Sequence, residues 1–213
     1  MFNPLPPVTR ALLVSNGLCF VLFALVNPVE LFPLMLWPLG DYLVRFESGA
    51  AISAGFLPWQ LVTYGFMHGN VPHLFFNMLA LFMFGAPIEQ VLGQRRYISY
   101  YFVCLIGAGL VQLTVATLAV AYGDNPYPTV GASGAVFGLL LAYAILFPNR
   151  QVLLLFPPIP MRARTFAILY GLLELVLGVT RTQSGVAHFA HLGGMVFGYG
   201  MLQYWRGRWP FRR

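Results

Sequence analysis

An all-α bundle of membrane-spanning helices is the fold class this sequence predicts, and three observations carry the prediction: its composition, a series of six apolar runs, and the arginines between them. Of the 213 residues, 59% are hydrophobic, 16% aromatic and only 8% charged, whereas soluble domains carry roughly a quarter charged residues. Such a chain cannot clothe itself in water-facing side chains. It is therefore expected to be an integral, multi-pass membrane protein, with the lipid bilayer as a partner. At ~20 residues per span, the length suits six spans in a single domain, 1–213, with no second domain and only a short segment before the first span. The formal charge of +6 comes from twelve Arg against six acids, with no Lys. A basic excess ordinarily raises nucleic acid as a partner, but these arginines flank apolar runs, so they read as topology signals and no nucleic acid is expected.

The first run, about 11–27, follows Arg10 and superficially resembles a signal peptide. No small-x-small cleavage site precedes Asn27-Pro28 and five more runs come after, so the sequence predicts a retained span. Residues 28–70 form one long outer loop rich in proline and aromatic residues, including Trp37 and Trp59, which are expected to lie at headgroup level. The other runs fall at about 71–91, 97–121, 130–147, 165–180 and 187–204. Each is long enough, or nearly so, to cross a bilayer as a helix, and none alternates as a barrel strand would. The apolar stretch Val152–Phe156 is too short to span and is bracketed by prolines, so it is expected to dip toward the membrane from the cytoplasmic side. Cys19 and Cys104 lie inside apolar runs, away from any His or Cys at metal-ligand spacing. They read as packing residues, with no zinc site and no disulfide.

Counting arginines in the connections sets the orientation. Arg10, Arg95, Arg96, Arg150, Arg162, Arg164, Arg206, Arg208, Arg212 and Arg213 fall on one side, and Arg45 and Arg181 on the other. The first group is cytoplasmic by the positive-inside rule, which puts both termini inside. Glu30, Asp41, Glu47 and Asp124 fall outside, in keeping with this.

On this map spans two, four and six all run from outside to inside, so residues early in each share one depth. His73 and Asn77 are early in span two, Ser133 in span four, and His188 and His191 in span six. Polar groups are expensive in a membrane and tend to face the bundle interior or a wet cavity. Ser133 alone, within Gly131-Ala132-Ser133-Gly134, reads as a helix N-cap or a small interface residue; the shared depth turns it into a candidate nucleophile. A serine needs an adjacent base, and His191 can supply it if spans four and six pack closely through the pairs Gly134/Gly138 and Gly194/Gly198. His73 and Asn77, four apart on one helix face, together with the Ser133 backbone N–H, suit an oxyanion hole. No acid shares that depth on the map: Asp124 is in an outer loop, Glu89 near the inner end of span two, and Glu174 near the middle of span five. The expected arrangement is thus a Ser–His dyad without a carboxylate. The Gly-x-Ser-x-Gly elbow of soluble hydrolases is not matched, because Ala135 occupies the last position.

Three motifs, His68-Gly-Asn-Val-Pro-His73-Leu-Phe-Phe-Asn77, Gly131-Ala-Ser133-Gly134 and Ala190-His191-Leu-Gly-Gly194, resemble those of the rhomboid intramembrane serine proteases, and the resemblance covers residues 59–205. It implies a six-helix rhomboid-like core, a catalytic dyad of Ser133 and His191, and an oxyanion hole of His73, Asn77 and the Ser133 amide. It also implies transmembrane protein substrates cleaved near the outer end of a helix, with no metal and no organic cofactor. The expected location is a bacterial inner (plasma) membrane. Gly131 and Gly194 belong to the matching motifs. Both His188 and His191 follow alanine, but only His191 has Gly three residues on, so the base is assigned to it and His188 to a polar rim. His68 is expected to tie the loop down, and Glu89, before Gly93, Arg95 and Arg96, to act as a structural cap on span two. The chain departs from the family in carrying Trp59-Gln60 where many members have Trp-Arg. Glu174 is expected either as a neutral acid bonded to a neighbouring helix or as a contact that holds span five and tunes substrate access. Two other readings stay open: a proteolytically inactive relative that binds membrane proteins in quality control, which Ser133 and His191 argue against, and a small transporter, disfavoured because broken-helix pairs are missing.

Overall fold

Helix α1 (Pro7–Phe23) starts on a proline and has no side-chain cap of its own. Its first free N–H groups are met from another element. The carboxylate of Glu89 accepts from Val8 N at 2.9 Å, Thr9 N at 2.7 Å and the Thr9 hydroxyl at 2.8 Å, the placement a helix N-terminus favours. This capping moves the start of the first helix upstream of the expected residue 11, and makes Glu89 the cap of α1 instead of span two. The computed structural model describes residues 4–45, 51–153, 158–180 and 187–207; Glu47, Arg181, Arg208, Arg212, Arg213 and the end of the Val152–Phe156 stretch lie outside them.

After the short helix α2 (Gln60–Thr63), the second expected span is continuous from Val71 to Leu92. It comprises α3 (Val71–Ala80), a π turn at Leu81–Gly85 and α4 (Ala86–Leu92). The widened turn falls directly before Pro87, which has no N–H to close a regular α turn. After Gly93, at φ +74°, comes α5 (Gln94–Ala121), then α6 (Ser133–Leu146), α7 (Ala163–Thr180) and α8 (His188–Trp205). Val71–Leu92, Gln94–Ala121 and Ala163–Thr180 are long and apolar enough to cross a membrane, while Pro7–Phe23 and Ser133–Leu146 are shorter apolar helices. The described chain is mostly helical but not wholly so. Two antiparallel hairpins occur, β1 (Tyr42–Arg45) with β2 (Ala51–Ala54) and β3 (Gln151–Leu153) with β4 (Pro160–Arg162), because connections outside a helix must pair their backbone groups some other way.

Helices α5, α6 and α8 form the centre. Lipid gives apolar faces little reason to leave it, so close approach through small residues carries the packing. Gly194 lies against the backbone of Gly134, Gly138 against Cys104 and the Gly194 carbonyl, and Gly198 against Tyr100 and Cys104. The four glycines thus join α6 to α8 and both to α5. The Tyr100 hydroxyl adds a hydrogen bond of 2.8 Å to the Gly138 carbonyl.

The long connection is fastened to this centre. Gln60 is fully buried; its carbonyl accepts from Trp37 N at 3.1 Å and its amide donates to Gly55 O at 3.1 Å and Pro33 O at 3.3 Å. A neutral amide therefore pins the loop at the position where the family often has Arg. Trp37 is buried, whereas Trp59 is half exposed, so only the second fits the expectation of a ring at headgroup level.

Candidate active site

Three loop contacts aim the start of α6. Leu36 and Thr129 exchange backbone hydrogen bonds of 3.0 and 2.8 Å, and Gly131 N donates to Tyr64 O at 2.9 Å. Gly131 has φ +127°, and a Cβ there would stand 2.8 Å from His73 Nε2 and 3.7 Å from Ser133 Oγ. Glycine is required both for that backbone conformation and for the space. Helix α6 then begins with Ser133 as its first residue. Ala132 at the N-cap offers no side-chain oxygen, so the helix has no side-chain cap of its own, and its first N–H groups lie at the end that carries the serine. The start at 133, three residues later than expected, follows from the turn at Gly131.

Ser133 does not cap its helix. Its Oγ lies 2.7 Å from His191 Nε2, and the imidazole stacks on Phe137 with centroids 4.2 Å apart and planes 3° from parallel. Phe137 is one helical turn beyond Ser133 and packs in turn on Tyr170 of α7 at 5.3 Å. The other ring nitrogen, His191 Nδ1, lies 2.8 Å from Glu174 Oε2, and His188 Nδ1 lies 2.7 Å from the same oxygen. All three of these residues are buried. The expectation that no acid accompanies the histidines is therefore wrong in this structure, and so is the polar rim assigned to His188. Glu174 sits six residues before the end of α7, about 9 Å below it, while His191 is three residues into α8, about 4.5 Å down. Two side chains bridge that difference.

His73 and Asn77 stand on the face of α3 toward Gly131. Asn77 is buried, and its Nδ2 donates to the His73 carbonyl at 3.0 Å; its second N–H is free of that bond. His73 is fixed at the helix start, where Asn70 Oδ1 accepts its backbone N–H at 2.8 Å. His68 packs edge-on against His73 at 5.1 Å, and both its ring nitrogens are buried without a hydrogen-bond partner among the described residues. Its observed contact with the site is one of packing. Burial, and secondly the His73 ring, push its imidazole down to about 4, so it is neutral near pH 7.

Glu174, His188 and His191 also form a cluster that could hold a metal ion. Their N···O separations of 2.7 and 2.8 Å are hydrogen-bond distances, shorter than the about 3.3 Å between ligand atoms of a tetrahedral zinc, so the arrangement as it stands is a hydrogen-bonded one.

Apolar helices with a buried polar array at one end define an integral membrane protein built around a Ser–His–Glu contact. Residues 56–207 match the Rhomboid domain family, and the chain belongs to the rhomboid family. It is 33% identical over 142 residues to Rhomboid protein 1, mitochondrial, of Saccharomyces cerevisiae, covering 65% of this chain and 39% of that protein. It is 28% identical over 200 residues to the putative rhomboid protease YdcA of Bacillus subtilis (93% of this chain, 88% of that protein), and 31% identical over 144 residues to rhomboid protease GluP of the same organism (66% and 25%). The chain thus spans well under half the length of the first and third of these relatives, and most of the second.

Proposed function

We propose that this protein is an intramembrane serine endopeptidase acting on transmembrane protein substrates. The observation that carries the reading is the 2.7 Å contact between Ser133 Oγ and His191 Nε2 at a helix N-terminus that has no side-chain cap of its own. Ser133 Oγ attacks the scissile carbonyl carbon as His191 Nε2 takes its proton. The imidazolium then returns that proton to the leaving amine nitrogen, and water hydrolyses the acyl-serine by the same route. Negative charge on the carbonyl oxygen meets the Ser133 N–H, His73 and Asn77; the space beside Gly131, bordered by His73 Nε2 and Ser133 Oγ, is where that oxygen fits. A substrate helix has to unwind locally to present its carbonyl. The same reading holds α1, α3 with α4, α5, α6, α7 and α8 as six spans of one domain, 1–213, with both termini cytoplasmic. Cleavage then falls near the outer side, in a bacterial inner membrane.

Purified protein in detergent, incubated with a model transmembrane substrate, is expected to release two fragments, and EDTA is expected to leave the rate unchanged. No cleavage of any such substrate would favour a relative that binds membrane proteins without cutting them. Within the reading, Asn77→Ala is expected to lower kcat by about 10²-fold with little change in KM, as removal of one oxyanion donor does; an equal loss in KM alone would place Asn77 in substrate binding instead.

A further inference from the structure

Glu174 is the one carboxylate of α7, and the fold takes care to bring it in. Ala163, Ala167, Gly171, Glu174 and Gly178 recur at three- and four-residue spacing. Gly171 faces Met195, and Gly178 faces His188 and Phe189, so small residues one turn below and one turn above let α7 approach α8 closely. The outward residues, among them Leu172, Leu173, Val176 and Val179, are exposed and apolar, as a lipid-facing surface requires. The carboxylate then meets two imidazoles through a single oxygen, Oε2, at 2.7 and 2.8 Å.

An ionised carboxylate only accepts hydrogen bonds, so each Nδ1 must donate its proton to it. That fixes His191 as the Nδ1–H tautomer. Its Nε2 is left as a lone pair, 2.7 Å from Ser133 Oγ, which is the state a general base needs. A buried carboxylate bonded to one neutral imidazole alone would be poorly satisfied; His188 supplies the second donor. This explains why His188 is buried with its Nε2 unpartnered among the described residues: its work is done at Nδ1. Phe137, stacked flat on His191, closes the remaining freedom of the ring.

We propose that Glu174 is the positioning residue of this site, holding His191 in the tautomer and orientation that accept the Ser133 proton, with His188 as the second donor that keeps the carboxylate charged. When the proton moves from Ser133 Oγ to His191 Nε2, the imidazolium forms beside that carboxylate, and the proton leaves again on the product amine. The site is then a triad with a fourth member, and α7 belongs to the chemistry as well as to the wall of the bundle. The inference rests on the serine endopeptidase reading.

Two experiments test it. In Glu174→Gln, kcat measured below the variant's own melting temperature is expected to fall roughly 10²-fold while KM stays within about twofold, because a lost orienting charge acts in the chemical step. Retention of wild-type kcat, or a change confined to KM, would overturn the proposal and leave Glu174 as a helix contact only. Nitrogen-15 histidine spectra of the unsubstituted protein are expected to show both His188 and His191 protonated at Nδ1 and bare at Nε2; protonation of His191 at Nε2 would overturn it without recourse to any variant. A Ser133→Ala control separates the two levels. If that control still cleaves, the endopeptidase reading itself fails. If it is inactive while Glu174→Gln turns over like wild type, only the positioning role fails.

Discussion

His191→Ala is expected to lower kcat/KM by about 10³-fold or more, since a serine without a base keeps its proton at neutral pH. The donors beside Gly131 and the Ser133 amide remain in place, so substrate still docks and the loss falls on kcat. Truncation also removes the flat partner of Phe137 and one of the two donors to Glu174. Only the His188 donor then remains to the carboxylate, so the cost in stability is on the order of 1–3 kcal/mol, the penalty for one lost partner of a charged group. A thermal melt beside the rate assay tells a folded, inactive protein from an unfolded one. Cleavage by folded His191→Ala within tenfold of wild type would remove the imidazole from the mechanism.

Gly194→Ala carries the largest expected effect on stability. The added Cβ would strike the carbonyl of Gly134, and because that neighbour is backbone in another helix, no side chain can turn aside to admit it. Separating α6 from α8 is the available relief, at a cost of about 3 kcal/mol or more, and Tm is expected to drop by roughly 6–12 °C. The same displacement lengthens the Ser133–His191 contact, so activity falls before the protein melts. Gly200→Ala is the control on the same helix. Nothing lies within 4 Å of the Cβ it would add, and alanine is the better helix former by about 1 kcal/mol. A Tm for Gly194→Ala equal to that of Gly200→Ala would refute the close α6–α8 contact.

Much of this was legible in the residues. Apolar runs and their punctuation located the major helices, because a chain in lipid has few other ways to satisfy its backbone. Helix starts were less legible: α1 begins at Pro7 only because Glu89, some eighty residues away, caps it, and α6 waits for the positive φ of Gly131. The hairpins β1–β2 and β3–β4 carry no strong alternation, and tertiary context decides them.

At the site, depth along the spans pointed to Ser133, His191, His73 and Asn77 as neighbours. The same depth scale hid Glu174. Depth along a span is a backbone measure that leaves out side-chain reach, so an acid a few residues lower falls outside it. A usable signal was nonetheless present, in Gly171 and Gly178 flanking Glu174 on one face of α7. Phe137 was missed as well, although its place one turn after Ser133 put it on the face that meets His191.

The proposal that Ser133 is an activated nucleophile is tested most directly by fluorophosphonate labelling of the purified protein, with the adduct mapped by peptide mass spectrometry. One adduct is expected, on Ser133, that forms readily in the wild type and is lost in both Ser133→Ala and His191→Ala. An unlabelled wild type, or labelling that persists undiminished in folded His191→Ala, would contradict it.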